Sequence, residues 1–179
     1  MNYFTKNSNE IYEIMRKYGK KYFNLYTTNE NGFFSKLNEK IRNNSPLSKL
    51  ETKTVIAIKS AIFYCKTKKK LRIYKGLKSN SKQIFDNFNK IDKPKTFKGV
   101  VSTSKEYAIA KKYSEGKKYQ VILELNIPAY FNCFPIFKFS KHPEEAEILL
   151  YNFEYIVTSF VLKGNVLKAK LDILPKKRK

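Results

Sequence analysis

Tryptophan is absent from the 179 residues, histidine occurs once, at His142, and cysteine twice, at Cys65 and Cys133. One histidine and two distant thiols complete a zinc site only with added carboxylates, and no ligand spacing points to one, so no metal is expected. Two cysteines in a chain this long are no disulfide framework and read as small buried hydrophobes. A Cys-His nucleophile pair has no supporting pattern, and His142-Pro143 reads as a turn. No apolar run approaches the roughly 18 to 20 residues of a membrane span. Met1-Asn2-Tyr3-Phe4-Thr5-Lys6 lacks the apolar core of a signal peptide, so nothing there directs ordinary secretion. Acids are scarce as well: 15 Asp and Glu stand against 37 Lys and Arg, a formal net charge of +22. Such an excess attracts anionic partners, whether nucleic acid, acidic protein faces or anionic lipid, and is silent about fold.

Hydrophobic residues make up 42% of the chain, enough for a core in one domain. The first third has helical periodicity. Ile11, Ile14, Met15 and Tyr18 fall on one face after the cap candidates Asn7 and Ser8, and Gly19 permits a stop. Phe33, Leu37 and Ile41 give a second, shorter stripe. Ser48 and Glu51 have capping-box spacing before a face of Leu50, Thr54, Ala57, Ile58, Ala61, Ile62 and Cys65. From Leu71 the pattern changes to strands: 71–74 ended by Gly76, 97–101, 119–127 stopped by Pro128, 147–151, 154–162 and 166–173. The last two flank a tight turn at Gly164-Asn165. A short helix over about 105–113 interrupts them. The reading is α+β: one domain over 1–174, helical over 1–65 and strand-rich over 71–174. A basic tail follows at 175–179. Pro175-Lys176-Lys177-Arg178-Lys179 reads as a solvated end, a phosphate-binding arm, or a nuclear-import signal in a eukaryotic cell; otherwise the location is cytoplasmic.

Three places carry chemistry. Glu144-Glu145-Ala146-Glu147 reverses the local charge just before the apolar Ile148-Leu149-Leu150. On extended backbone Glu145 and Glu147 share a face and Glu144 points away. Two such carboxylates divide labour, one steadying a cationic sugar centre and the other orienting or deprotonating a nucleophile. The ordinary reading is a solvated acidic turn among lysines. Ser102-Thr103-Ser104 ends a strand before a helix. Thr103 with Glu106, or Ser104, suits a helix cap, and the same hydroxyls suit a phosphate, a ribose or a carboxylate. In Tyr74-Lys75-Gly76 the lysine is either solvated or a cation for a phosphate, with Gly76 either a turn or a flat approach to a ligand.

In this order the three resemble the arginine–serine–glutamate branch of the mono-ADP-ribosyltransferases, which includes clostridial binary-toxin enzymes, insecticidal toxins and phage transferases. The segment from Asn31 to Arg42 resembles that family's N-terminal helix and following arginine. Leu71 to Leu77 resembles the aromatic-Arg-Gly strand, Phe97 to Ser104 the Ser-Thr-Ser strand, Val121 to Pro128 the strand before the substrate loop, and Pro143 to Leu150 the Glu-x-Glu strand. The Ser-Thr-Ser and Glu-x-Glu-Ile-Leu-Leu matches are the specific ones.

The resemblance implies a helical part packed on two β-sheets that enclose an NAD cleft. NAD is then the substrate, and an acceptor protein takes the ADP-ribose. Glu147 would hold the nicotinamide ribose and steady the oxocarbenium ion; Glu145 would receive the acceptor, a glutamate there going with arginine. Ser102 would order Glu147 and the ribose, supported by Thr103 and Ser104. Tyr113 would lie against the nicotinamide. Phe137 and Phe139, in a loop over 131–143, would contact the acceptor. The family's NAD-binding arginine falls at Lys75, beside Gly76, so lysine keeps the charge and loses the planar fork. Arg72, of opposite parity along the strand, would reach the cofactor only through a bulge. Two other readings stay open: an inactive relative, or a nucleic-acid-binding protein that uses the charge and the 27 Phe and Tyr residues. Transfer to a nucleic acid combines them.

Overall fold

A computed structural model gives the fold and describes residues 3–28, 30–91, 93–136 and 142–175. Phe137, Phe139 and the tail residues Lys176-Lys177-Arg178-Lys179, all named above, lie outside them.

The helical part begins with α1, Ser8–Tyr18, whose cap is Asn7 rather than Ser8. The Glu10 amide donates to Asn7 Oδ1 at 3.0 Å and the Asn7 amide to Glu10 Oε2 at 2.8 Å, so both free N–H groups are satisfied. Ile11 and Met15 face the core, and Gly19 ends the helix at φ 94°. Helix α2, Lys20–Thr28, follows at once and buries Phe23 and Tyr26. Its short stripe carries little periodic signal, and no helix is expected there from sequence. Helix α3 spans Phe33–Arg42 and α4 spans Lys49–Tyr64. The Ser48–Glu51 capping box forms as expected. The Glu51 carboxylate also takes Lys40 Nζ at 2.8 and 2.9 Å, which ties α4 to α3. Leu50, expected on the inner face of α4, is exposed, because Thr54, Ala57, Ile58 and Ala61 already fill that face.

The strands are β1 (Leu71–Ser79), β2 (Lys95–Ser104), β3 (Tyr119–Ile127), β4 (Phe134–Pro135), β5 (Glu147–Lys163) and β6 (Val166–Ile173); α5, Tyr107–Ser114, lies between β2 and β3. The α+β class is as read from the sequence. Two leaves of sheet share one hydrogen-bonded network. The first half of β5 pairs with β2 and β4; its second half pairs with β6, which continues through β3 to β1. The leaves meet again where β1 touches β2 at one register pair, Tyr74 opposite Ser104.

Two expected strands, 147–151 and 154–162, are thus one strand of 17 residues. Asn152 is left-handed at φ 39°, yet it does not break the strand. It sits opposite two residues of β2, Lys98 and Gly99, in a bulge, and its Oδ1 accepts the Gly99 amide at 2.6 Å. Next to it the Val100 amide donates to Oδ1 of the buried Asn38 at 2.8 Å, which fastens β2 to α3.

Gly76, expected to end the first strand, lies in its interior. A Cβ there would stand 1.9 Å from the Ala110 carbonyl oxygen and 2.7 Å from the Ser114 amide, so the glycine lets α5 rest directly on β1. Gly76→Ala must push α5 off the strand. It should lower unfolding free energy by about 1–3 kcal/mol, the range of overpacked sites. A urea titration checks this; a change within about 0.5 kcal/mol, the scale of an ordinary surface substitution, would show that α5 yields freely.

Candidate active site

The register of three strands builds the site. Glu147 opposite Ser104, and Ser104 opposite Tyr74, bring the start of β5 and the end of β2 against the middle of β1. The two leaves part there and leave a cleft of about 380 Å³. Lys75, Gly76, Ser102, Thr103, Ser104, Tyr113, Glu145 and Glu147 all line it. Residues 75, 102, 145 and 147, far apart in the chain, therefore share one cavity.

Glu147 is 7% exposed. Burial pushes its carboxyl up to about 7; the charge of Glu145 adds to the rise, while a Ser102 hydrogen bond and the charges of Lys75 and His142 oppose it. Lys75 donates from Nζ to the Ser102 carbonyl at 2.9 Å. Its ammonium is brought down to about 8, first by desolvation; nearby Glu147 supports the charge and Arg42 opposes it. The lysine's hydrogen bond to the Ser102 carbonyl places its cation at the end of β2, beside the start of β5.

The Ser-Thr-Ser side chains have separate tasks. Thr103 Oγ1 donates to the Ile148 carbonyl at 2.7 Å. Ser104 Oγ donates to the Glu145 carbonyl at 2.6 Å and accepts the Glu106 amide at 2.9 Å. The expected Thr103–Glu106 capping box does not form: β2 runs on to Ser104 and the Thr103 hydroxyl is committed across the sheet. Ser104 does not cap the helix either; the N-cap is Glu106, which has no side-chain cap bond, and Ser104 accepts the amide of Glu106 itself. The parity argument for Glu145 and Glu147 also fails in its premise. Pro143–Glu145 is a 3₁₀ turn, and Ala146 is left-handed at φ 46° and ψ 44°. That turn still delivers both carboxylates to the cleft. Glu144 stays outside it, exposed and 3.3 Å from His142 Nδ1.

Tyr113 reaches from α5 to the same turn, its hydroxyl donating to Glu145 Oε1 at 2.5 Å. Arg72 does not enter the cleft. It lies on the opposite face of β1, exposed and 3.3 Å from Glu124 Oε1, and no bulge in the β1–β3 ladder turns it inward. Tyr26, Thr27, Phe34 and Ser35, from α2 and the start of α3, complete the wall. Sequence reasoning missed all four, since aromatic residues on a helix carry no signature that separates cleft from core.

Tyr26 is 2% exposed, and its hydroxyl is shielded beside the Asn38 amide. The cavity offers a buried carboxylate, an ammonium, hydroxyls and aromatic rings, a donor set that fits a phosphate- and ribose-bearing ligand with a flat base. Among the described residues no group of three or more His, Cys, Asp or Glu is placed to hold a metal ion. Cys65 and Cys133 are both buried free thiols, and burial pushes Cys65 up to about 12.

The sequence profile of the ADP-ribosyltransferase exoenzyme family matches residues 2–176. The chain belongs to that family. No curated protein matches this exoenzyme-family chain significantly in sequence. Solved structures do match in fold. Plx2a, an ADP-ribosyltransferase toxin from Paenibacillus larvae, superposes with a TM-score of 0.68 at 20% identity, covering 93% of this chain and 92% of its own. Exoenzyme S from Pseudomonas aeruginosa, bound to Carba-NAD, gives 0.66 at 15%, with 84% and 70% covered. The ADP-ribosyltransferase Vis from Vibrio splendidus, in complex with agmatine, gives 0.64 at 14%, with 96% and 87% covered. At these identities the likeness concerns the fold, and this ADP-ribosyltransferase carries it over most of its length. No helix among the described residues is long and apolar enough to cross a membrane.

Proposed function

We propose that this exoenzyme-family chain cleaves NAD and transfers ADP-ribose to an arginine of an acceptor protein. The observation that supports it most is the sharing of one cleft by Glu147, Glu145, Ser102 and Lys75. The bond broken is the glycosidic bond between the ribose C1′ and nicotinamide, which leaves with the electron pair. Positive charge then spreads over C1′ and the ring oxygen. Glu147, ionised and shielded from water, stabilises that charge as it develops, a preorganised field acting in a low dielectric. Ser102, in the same cleft, orders Glu147 and the ribose. The guanidinium is a poor nucleophile while protonated, so Glu145 orients it and takes its proton as the new C1′–N bond forms. Lys75 supplies a cation near the phosphates.

A glutamate at 145, able to pair with a guanidinium, favours arginine. The excess of 37 basic over 15 acidic residues suits an acceptor with an acidic face. A nucleic-acid role would use the charge alone and would leave the shared cleft of Glu145, Glu147 and Ser102 without a part to play.

Incubation with NAD labelled in the adenylate half and a cell extract should label a protein, and mass spectrometry should place the ADP-ribose on arginine. Label found only on other residue types would sink the arginine assignment. If the wild-type chain neither labels protein nor releases nicotinamide, the whole proposal is wrong.

A further inference from the structure

The Tyr113 hydroxyl is committed to the acceptor carboxylate, although the ring belongs to the wall of the NAD cleft. Two bonds reach Glu145, from β2 and α5, and a third, from the link between those elements, reaches the next residue. Ser104 Oγ holds the Glu145 carbonyl at 2.6 Å, the Lys105 amide holds the Ala146 carbonyl at 3.3 Å, and Tyr113 holds the Glu145 side chain itself at Oε1. The Ser104 and Lys105 bonds fix the backbone of the 3₁₀ turn; only the Tyr113 bond fixes the rotamer. No hydrogen bond or ion pair among the described residues occupies Oε2. A partly exposed glutamate otherwise samples several rotamers, and Tyr113 selects one of them. Burial first, then the neighbouring Glu145, holds the Tyr113 phenol well above its ordinary range, so it stays a donor at physiological pH.

We infer that Tyr113 is a positioning residue: its hydroxyl engages one oxygen of Glu145 and leaves the other as the single contact for an acceptor guanidinium. This rests on the transferase reading above. A carboxylate with both oxygens free clasps a guanidinium in a two-pronged fork and occupies both of its terminal nitrogens. The phenol fills one lone pair of Oε1 and stands in the way of the fork on that side, so the guanidinium binds through one nitrogen to Oε2, and the other terminal nitrogen stays free to face C1′. The proton released on bond formation goes to Oε2. The ring of the same residue borders the NAD cleft, so the acceptor carboxylate is set in place from the wall of that cleft.

The test uses the purified full chain, NAD, and agmatine as a guanidinium acceptor, with nicotinamide release and ADP-ribosyl-agmatine measured together. Tyr113→Phe keeps the ring and removes the bond. It should lower the ratio of transfer to hydrolysis about fivefold, the scale of one hydrogen bond to a charged group at a half-exposed site, with the loss in kcat for transfer and no rise in the KM for agmatine, because the freed carboxylate can now clasp the guanidinium in the fork. A thermal melt confirms that the variant is folded. An unchanged ratio, or equal losses toward NAD and agmatine, overturns the inference and leaves the transferase reading intact. Hydrolysis by wild type with no transfer to agmatine also overturns it, since a guanidinium on Oε2 is required. Wild type that performs neither reaction sinks the transferase reading itself.

Discussion

Glu147→Gln should reduce nicotinamide release from NAD by about 10² to 10³-fold, the effect of removing one preorganised charge from a developing transition state. It should at the same time make the protein more stable. The carboxyl's pKa is raised to about 7 in the fold, above its ordinary 4.5. The native state therefore holds that proton more tightly than the unfolded chain, and stability falls as pH rises from about 4.5 to 7. Above that range the buried charge costs on the order of 3 kcal/mol, which glutamine does not incur. At about pH 8 the variant should melt roughly 5 °C or more above wild type, and below the carboxyl's ordinary value the two should converge. Calorimetry across this pH range, with an NAD-cleavage assay, reads both effects. A variant that is inactive and equally stable at every pH would show that Glu147 is not buried as described.

The second large effect concerns Lys75. The carboxyl of Glu147 titrates near 7 and the ammonium of Lys75 near 8. Cleavage needs Glu147 ionised and Lys75 charged, so kcat/KM for NAD should rise with pH through about 7 and fall above about 8, a narrow bell. The two groups feel each other, so the limbs belong to the pair. Lys75→Arg should keep the acid limb and lose the alkaline one, because a guanidinium stays charged throughout the range. At neutral pH its activity should not fall below wild type. At about pH 9.5 it should exceed wild type roughly thirtyfold, the factor by which a group titrating at about 8 has lost its proton. An alkaline fall that persists in the arginine variant would assign that limb to another group.

Much of this molecule was legible before its coordinates. The capping box at Ser48–Glu51 and the cap candidate Asn7 are local chemistry with fixed spacing, so the starts of α4 and α1 could be read from sequence, while the bond from Asn7 to Glu10 appears only in the structure. The turn at Gly164-Asn165 was equally local, and so were the Ser-Thr-Ser and Glu-x-Glu segments. Features that depend on distant partners were hidden. Asn152 reads as a break until Gly99 is seen to donate to it across the bulge. Gly76 reads as a turn until α5 is seen to rest on its bare Cα. Thr103 reads as a cap until its hydroxyl is found on the Ile148 carbonyl. Of the residues named for the cleft, Arg72 was misplaced for lack of any bulge in β1, while Tyr26 and Phe34 went unnamed because their place in the cleft wall is a tertiary fact.

The length of β5 has a further consequence. One uninterrupted segment starts at the buried carboxylate of Glu147 and ends at the far hairpin, and it is hydrogen-bonded into both halves of the sheet on the way. Tyr155 is its single residue paired with both β2 and β6, opposite Lys95 on one side and Ile173 on the other. That one position is the joint through which the two leaves keep a common register.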